Sequence, residues 1–469
     1  MMKKLFLNLN NHFIIISLLS LIYVISFVNN EIYINLIILL IIIISFIILL
    51  KPIFGILIML AISPFLSLPE NPLLNKLFLI YVFIYFLTIF SFIIKIIFKN
   101  IKLDFNLSFM FPIFALFYSL FISFFTSLNN NVNLLDWLRR VFPFSILILS
   151  FVIYFEIKDN NKNFKILLYS ILLLTIFNSF KIFYLWLINI NKLNQVYLYT
   201  DIRASWYGRN GISLITSSFL IFYLLLVNKN KNYDKFYQIL FLLSIISIII
   251  TFTRTYWFSI PLSYFFIILF IEKKYHNKIK KLFFKQFIYL SLILLILLII
   301  SPSLINKFIY WILNRIKAIE PSQINLSTLN RIDEIRFLIP YILKKPIFGY
   351  GLGSSYFMYS VNPFSDRGIG WVLTSYSHNF YLYHLYSTGF LGLLIWIYFV
   401  FYFIYKGIKI YKEKRIILSI IISGIFFGIF ISSFLFPEYN DKLTNLLNAI
   451  LIGFLGYFEN LKVEKELNP

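Results

Sequence analysis

The chain contains no cysteine, which excludes disulfide bonds and thiolate metal sites and leaves the redox compartment open. Only 13% of its 469 residues are charged, about half the share usual in soluble domains. The sustained alternation of apolar and polar residues that a membrane β-barrel requires is missing, which leaves helices as the spanning structure. No P-loop is present. The segment "GYGLGSSY" at Gly349 lacks a Lys-Ser/Thr ending and follows no strand of a βαβ unit, so ATP is not the expected donor. Paired D-x-D acids are missing from the segments expected outside, and the adjacent Asp333 and Glu334 are weak grounds for a metal ion. No small-residue cleavage site follows the apolar run after "MMKK", so that run is expected to be an anchor.

What is present is apolar sequence: mean hydropathy is +0.86 and 60% of residues are hydrophobic. Runs of spanning length recur at 13–28, 32–50, 53–68, 77–94, 107–128, 141–155 and 166–190. A second group follows at 212–227, 236–252, 256–271, 287–300, 379–405, 416–436 and 443–458. The expected fold class is an all-α, polytopic integral membrane protein of about 12–14 transmembrane helices, forming a single integral membrane domain over residues 1–469.

Lysine alternates between loops. Lys51, Lys95, Lys99, Lys158, Lys162, Lys229, "EKKYHNKIKKLFFK" and "KGIKIYKEKR" fall in one set of loops, while "VNNE", "LPENPLLN" and "SLNNNVNLLDW" in the other set carry almost none. By the positive-inside rule both termini are expected in the cytoplasm. The net charge of +23 is then topogenic, and nucleic acid is not an expected partner. The bilayer is. The long hydrophilic segment 301–378, between the last three helices and the rest, is expected to be external, and its many Ile, Leu, Phe and Tyr argue against disorder.

Arginine behaves differently from lysine. Of ten arginines, Arg139, Arg140, Arg203, Arg209, Arg254, Arg315, Arg331, Arg336 and Arg367 fall on the external side, leaving Arg415 inside. A planar guanidinium matches phosphate oxygens, and its placement against the positive-inside bias calls for an anionic ligand. Some of these, such as Arg315, Arg336 and Arg367, are equally accounted for as solvated loop charges. Arg203, Arg209 and Arg254, at the mouths of spans, favour the functional reading. His378, flanked by Ser377 and Asn379 at the mouth of the span that follows it, reads as a neutral imidazole oriented by capping-type neighbours. A lone histidine there could also be only an interfacial polar residue. His384, six residues further on, is expected to be interior.

The order "NRIDEIRFLIPYILKKPIFGYGLGSSY", then "SHNFYLYHLYSTGFLGLL", resembles the signature region of the bacterial O-antigen ligase and O-antigen polymerase superfamily. "RASWYGRNG" and "TFTRTYW" resemble that family's outward arginine motifs, although the family's common S-R-G reads here "TRT". The resemblance covers about 203–394. It implies a metal-independent type C membrane glycosyltransferase in the cytoplasmic (inner) membrane, its active site facing outside and needing no cofactor. The implied donor is an undecaprenyl-diphosphate-linked glycan and the implied acceptor a lipid-core sugar or another lipid-linked glycan. By motif, His378 carries over as catalytic, with Arg203, Arg209, Arg254 and Arg331 for the diphosphate. The alternative is a transporter or flippase of lipid-linked oligosaccharide, for which paired repeats with broken helices would be expected.

Overall fold

The computed structural model describes residues 32–66, 76–99, 107–189, 211–228, 231–251, 253–300, 306, 309, 326–360, 370–435 and 437–461. The fold is that of an all-α polytopic membrane protein. Among the described residues, six helices are long and apolar enough to cross a membrane by length and composition: Leu77–Phe98, Phe109–Asn129, Leu134–Asp159, Lys162–Tyr184, Tyr233–Ile250 and Phe380–Lys414. The stretch expected at 13–28 lies outside the described residues.

The chain forms two compact units, Met1–Phe105 and Asn106–Pro469. In the first, α1 (Ile32–Leu50), α2 (Pro52–Ile62) and α3 (Lys76–Lys99) pack together. Pro52, whose missing N–H is harmless at the first turn, starts α2 after the break at Lys51. Ser91 of α3 donates to the Ile48 carbonyl at 2.7 Å, satisfying a hydroxyl that is fully buried.

The second unit holds α4 (Leu107–Asn129), α5 (Leu134–Ser145), α6 (Leu149–Asp159), α7 (Lys162–Asn189), α8 (Gly211–Val227), α9 (Lys231–Ile250), α10 (Arg254–Phe270) and α11 (Lys273–Ile300). After them come α12 (Leu326–Lys344), the antiparallel hairpin β1 (Tyr356–Ser360) and β2 (Gly370–Thr374), then α13 (Phe380–Lys414), α14 (Ile417–Ser432) and α15 (Lys442–Asn460). Helix α15 is buried on every side from Lys442 to Phe458. It is the central post, packed against α5, α6, α8, α13 and α14. The fit is close: a Cβ on Gly453 would sit 2.5 Å from Ile153 of α6.

Two boundaries differ from the hydropathy reading for physical reasons. The span expected at 141–155 begins at Leu134, because Asp136, Arg139 and Arg140 lower the window average while the helical spacing continues through them. Asn133 caps it, its side chain accepting the Leu135 N–H at 2.9 Å. The basic loop "EKKYHNKIKKLFFK" is not a separate connector: from Lys273 it is helical and continuous with the apolar run to Ile300, since Lys, Leu and Phe carry no breaker.

The described residues of the segment 301–378 form a long helix and a hairpin. Helix α12 lies along α13 and β1, and the turn after it is spliced into α13. That helix is broken at Gly389 (φ 69°, ψ −173°), which strips the Tyr386 and Ser387 carbonyls and the Phe390 and Leu391 N–H groups of their partners within the helix. The turn supplies all four. Tyr350 N–H donates to Tyr386 O at 3.0 Å and Gly351 N–H to Ser387 O at 2.7 Å; Phe390 N–H donates to Pro346 O at 2.8 Å and Leu391 N–H to Ile347 O at 3.2 Å. Backbone meets backbone here. A Cβ on Gly349 would lie 2.6 Å from Tyr386 O, and one on Gly389 2.2 Å from Ile347 O, so the splice needs glycine at both positions. Helix α4 holds the other side, with Ser123 Oγ accepting from Leu352 N–H at 2.8 Å and Ser127 Oγ donating to Leu352 O at 3.0 Å.

Candidate active site

The start of α13 fixes the candidate histidine. Asn379 is the N-cap, its side-chain oxygen accepting the Leu382 N–H at 2.9 Å, and His378 stands immediately before it. The imidazole is oriented from another element. Glu334 of α12 accepts three hydrogen bonds: from Ser377 Oγ at 3.1 Å, from the His378 backbone N–H at 2.8 Å and from His378 Nδ1 at 2.7 Å. The Glu334 side chain is 2% exposed and that of His378 32%. An ionised carboxylate can only accept, so Nδ1 carries a proton, and in the neutral imidazole the lone pair is then on Nε2. A buried carboxylate on Nδ1, with Nε2 available outside, is the arrangement that orients a general base and stabilises the imidazolium it becomes.

Why Glu334 is buried follows from the helix period. Positions 334, 338 and 342 lie on one face of α12, and Leu338 and Ile342 are buried with it. Sequence reasoning weighed Glu334 only as a neighbour of Asp333. The signal that would have found it is a carboxylate standing on the apolar face of an amphipathic helix. The hairpin closes the other side: Tyr356 of β1 donates from its hydroxyl to Tyr376 O at 3.0 Å, and the Tyr376 ring meets the His378 ring edge-on at 5.3 Å.

One corner joins the helix starts at this end of the second unit. Ser433 O accepts the Phe380 N–H at 3.1 Å, and the Tyr439 ring packs on Phe380 at 5.2 Å. Glu438, 1% exposed, hydrogen-bonds the side chain of Tyr256 in the first turn of α10. Arg254, half-buried, is the first residue of that helix. The corner therefore sets Arg254 and His378 at the same end of the bundle. Burial pushes the Glu438 carboxyl well above the usual carboxylate range, and the nearby Asp441 adds to the effect.

Arg331, half-buried, stands one turn before Glu334 on α12. Arg203 and Arg209, like Arg315 and Arg367, lie outside the described residues. Arg415 is at the far end of α13, bonded to Glu272 at 2.7 Å, where Lys274 also holds Glu272 at 2.6 Å. His384 is fully buried among Phe144, Phe380 and Trp396. Among the described residues, no group of three or more His, Cys, Asp or Glu side chains converges as a metal site.

Residues 239–397 match the family described as O-antigen ligase. The match covers about a third of the chain and supports the O-antigen ligase/polymerase superfamily. The matched O-antigen ligase segment runs from within α9 to within α13. It contains Arg254, Arg331, Glu334, His378 and the splice at Gly389, and leaves out Arg140 and Glu438. No curated protein matches the chain. The match supports an O-antigen ligase-like glycan transfer family, and the six long apolar helices support a multi-pass membrane protein.

Proposed function

We propose that the protein transfers a glycan from an undecaprenyl-diphosphate carrier to a sugar hydroxyl at the outer face of the cytoplasmic membrane. The observation that carries this reading is the Glu334–His378 pair inside the O-antigen ligase segment. Nε2 of His378 takes the proton of the acceptor hydroxyl as its oxygen attacks the anomeric carbon. The bond from that carbon to the diphosphate oxygen breaks, the electron pair leaves with the polyprenyl diphosphate, and the configuration inverts. Glu334 stabilises the imidazolium formed. Arg254 and Arg331, with Arg203 and Arg209, are the proposed partners of the diphosphate, whose charge grows as the bond breaks and needs no metal ion to meet it.

The outer-face assignment rests on the alternating lysines and on the segregation of Arg254 and His378 to one end of the bundle, with Arg415 and Glu272 at the other. The broken helix could suit a transporter, which keeps unwound backbone for its cargo. In this fold the groups freed at Gly389 are occupied by residues 346–351, which favours transfer.

The test is a purified protein in a bilayer, given a glycan on a polyprenyl diphosphate and a sugar acceptor, with chelator present. Wild type should release polyprenyl diphosphate and form the glycosidic bond. His378→Ala should lose roughly 10²- to 10⁴-fold in kcat while still binding donor. Full turnover by well-folded His378→Ala would remove the histidine from the mechanism.

A further inference from the structure

Among the arginines at the His378 end, Arg140 has a distinct setting. Arg139 pairs with Asp136 at 3.2 Å and Arg336 with Asp333 at 4.0 Å. Arg140 has no carboxylate within ion-pair distance among the described residues, although Asp136 stands one turn back on its own helix. Its neighbours are neutral. Nη2 donates to Ser375 Oγ at 2.8 Å, and the guanidinium carbon lies 5.7 Å from the centre of the Tyr383 ring. Nε and Nη1 have no hydrogen-bond partner among the described residues, and Nη2 keeps a second N–H beyond the one given to Ser375. A half-buried cation held by one hydroxyl and a neighbouring ring, with one two-pronged edge still open, is held in position for an anion.

Its place in the fold gives the anion a source. Ser375 is three residues before His378, a chain span of at most about 11 Å, and Tyr383 lies in the first turns of α13. One turn beyond Arg140 on the same face of α5, Phe144 packs on Phe380 at 6.4 Å, so this face of α5 addresses the start of α13. We propose that Arg140 is a diphosphate-binding residue of the site, gripping the phosphate oxyanions of the lipid-linked donor beside His378. This rests on the glycan-transfer reading above and extends it to a helix outside the matched segment. Bilayer phospholipid headgroups offer the same oxyanion chemistry; the bond to Ser375, three residues before His378, favours the donor.

The experiment uses the full chain in nanodiscs of neutral lipid, as wild type, Arg140→Gln, Arg140→Lys and Ser375→Ala. Binding of a short-chain prenyl diphosphate, the KM for donor and for acceptor, and the unfolding midpoint are measured. Loss of a charge-assisted contact should weaken diphosphate binding and raise the donor KM by about tenfold or more in Arg140→Gln, with the acceptor KM and unfolding midpoint held. Arg140→Lys, a point charge without the fork, should fall nearly as far, and Ser375→Ala less. Arg140 variants that bind prenyl diphosphate and use donor like wild type overturn the inference. So does a loss that occurs only when anionic phospholipid is added, which would trace the guanidinium to the headgroups. If Arg140→Gln does not fold, Arg140→Lys decides between these outcomes. Wild type that fails to bind the diphosphate at all overturns the glycan-transfer reading and this inference with it, whereas wild-type binding with unaffected variants overturns this inference alone.

Discussion

Nδ1 of His378 and Oε1 of Glu334 are 2.7 Å apart, and the carboxylate is all but sealed from solvent. A buried acid beside an accessible imidazole sets the tautomer and leaves Nε2 facing outward. Glu334→Gln keeps the shape and removes the charge, so kcat should fall by roughly 10- to 100-fold while donor binding stays. The readout is single-turnover transfer with donor affinity measured in parallel. Wild-type kcat in Glu334→Gln would show that the carboxylate does not act through His378.

Arg254 opens α10 half-buried at the same end of the bundle as His378. Arg254→Lys is expected to be nearly as damaging to transfer as Arg254→Ala, because a compact ammonium cannot reproduce a two-pronged phosphate contact. Steady-state transfer by the two variants tests this. Full activity with lysine at 254 would rule out bidentate recognition there.

Gly389→Ala should destabilise the protein by about 2–6 kcal/mol, the sum of a backbone conformation foreign to L-residues and a forced backbone contact. The added Cβ meets Ile347 O at 2.2 Å. Gly370→Ala, also at positive φ but with nothing within 4 Å of the new Cβ, should cost less. Unfolding midpoints of the two variants decide it; equal losses would mean the splice contributes little.

Glu438 gives a pH dependence with a definite sign. Its folded-state pKa is raised by burial, so its contribution to stability is complete below the ordinary carboxyl pKa and is lost as pH rises through the raised value. Unfolding midpoints should therefore fall on going from about pH 5 to about pH 9, and Glu438→Gln should flatten that slope. An unchanged slope in Glu438→Gln would assign the dependence to other groups.

Because the chain has no cysteine, single-cysteine labelling can report sidedness without background. Ser354 is buried, whereas Ser355 is exposed, so Ser355→Cys is the probe. It should react with a membrane-impermeant maleimide in intact spheroplasts, while a cysteine placed at Lys273 should react only after lysis. The reverse pattern would invert the topology.

Helices, their polytopic arrangement and the segregation of arginine from lysine were legible in the residues themselves. Hydrocarbon imposes length and composition on a span, and both can be counted along a chain. The motif residues from Arg331 to Gly389 could also be named in advance, but not what they do to one another. Pro346, Gly349, Gly351 and Gly389 are separated by up to 43 positions, and only the tertiary fold lays the turn into the broken helix, where backbone partners are exchanged across that gap. The same holds for Glu334: 44 residues before His378 it is one more acid on a helix, and it becomes the partner of Nδ1 only because the apolar face it occupies must pack against α13. Arg140 is further still, 235 positions from Ser375. Periodicity encodes which face of a helix is buried; which helix that face meets is decided by packing among all of them at once.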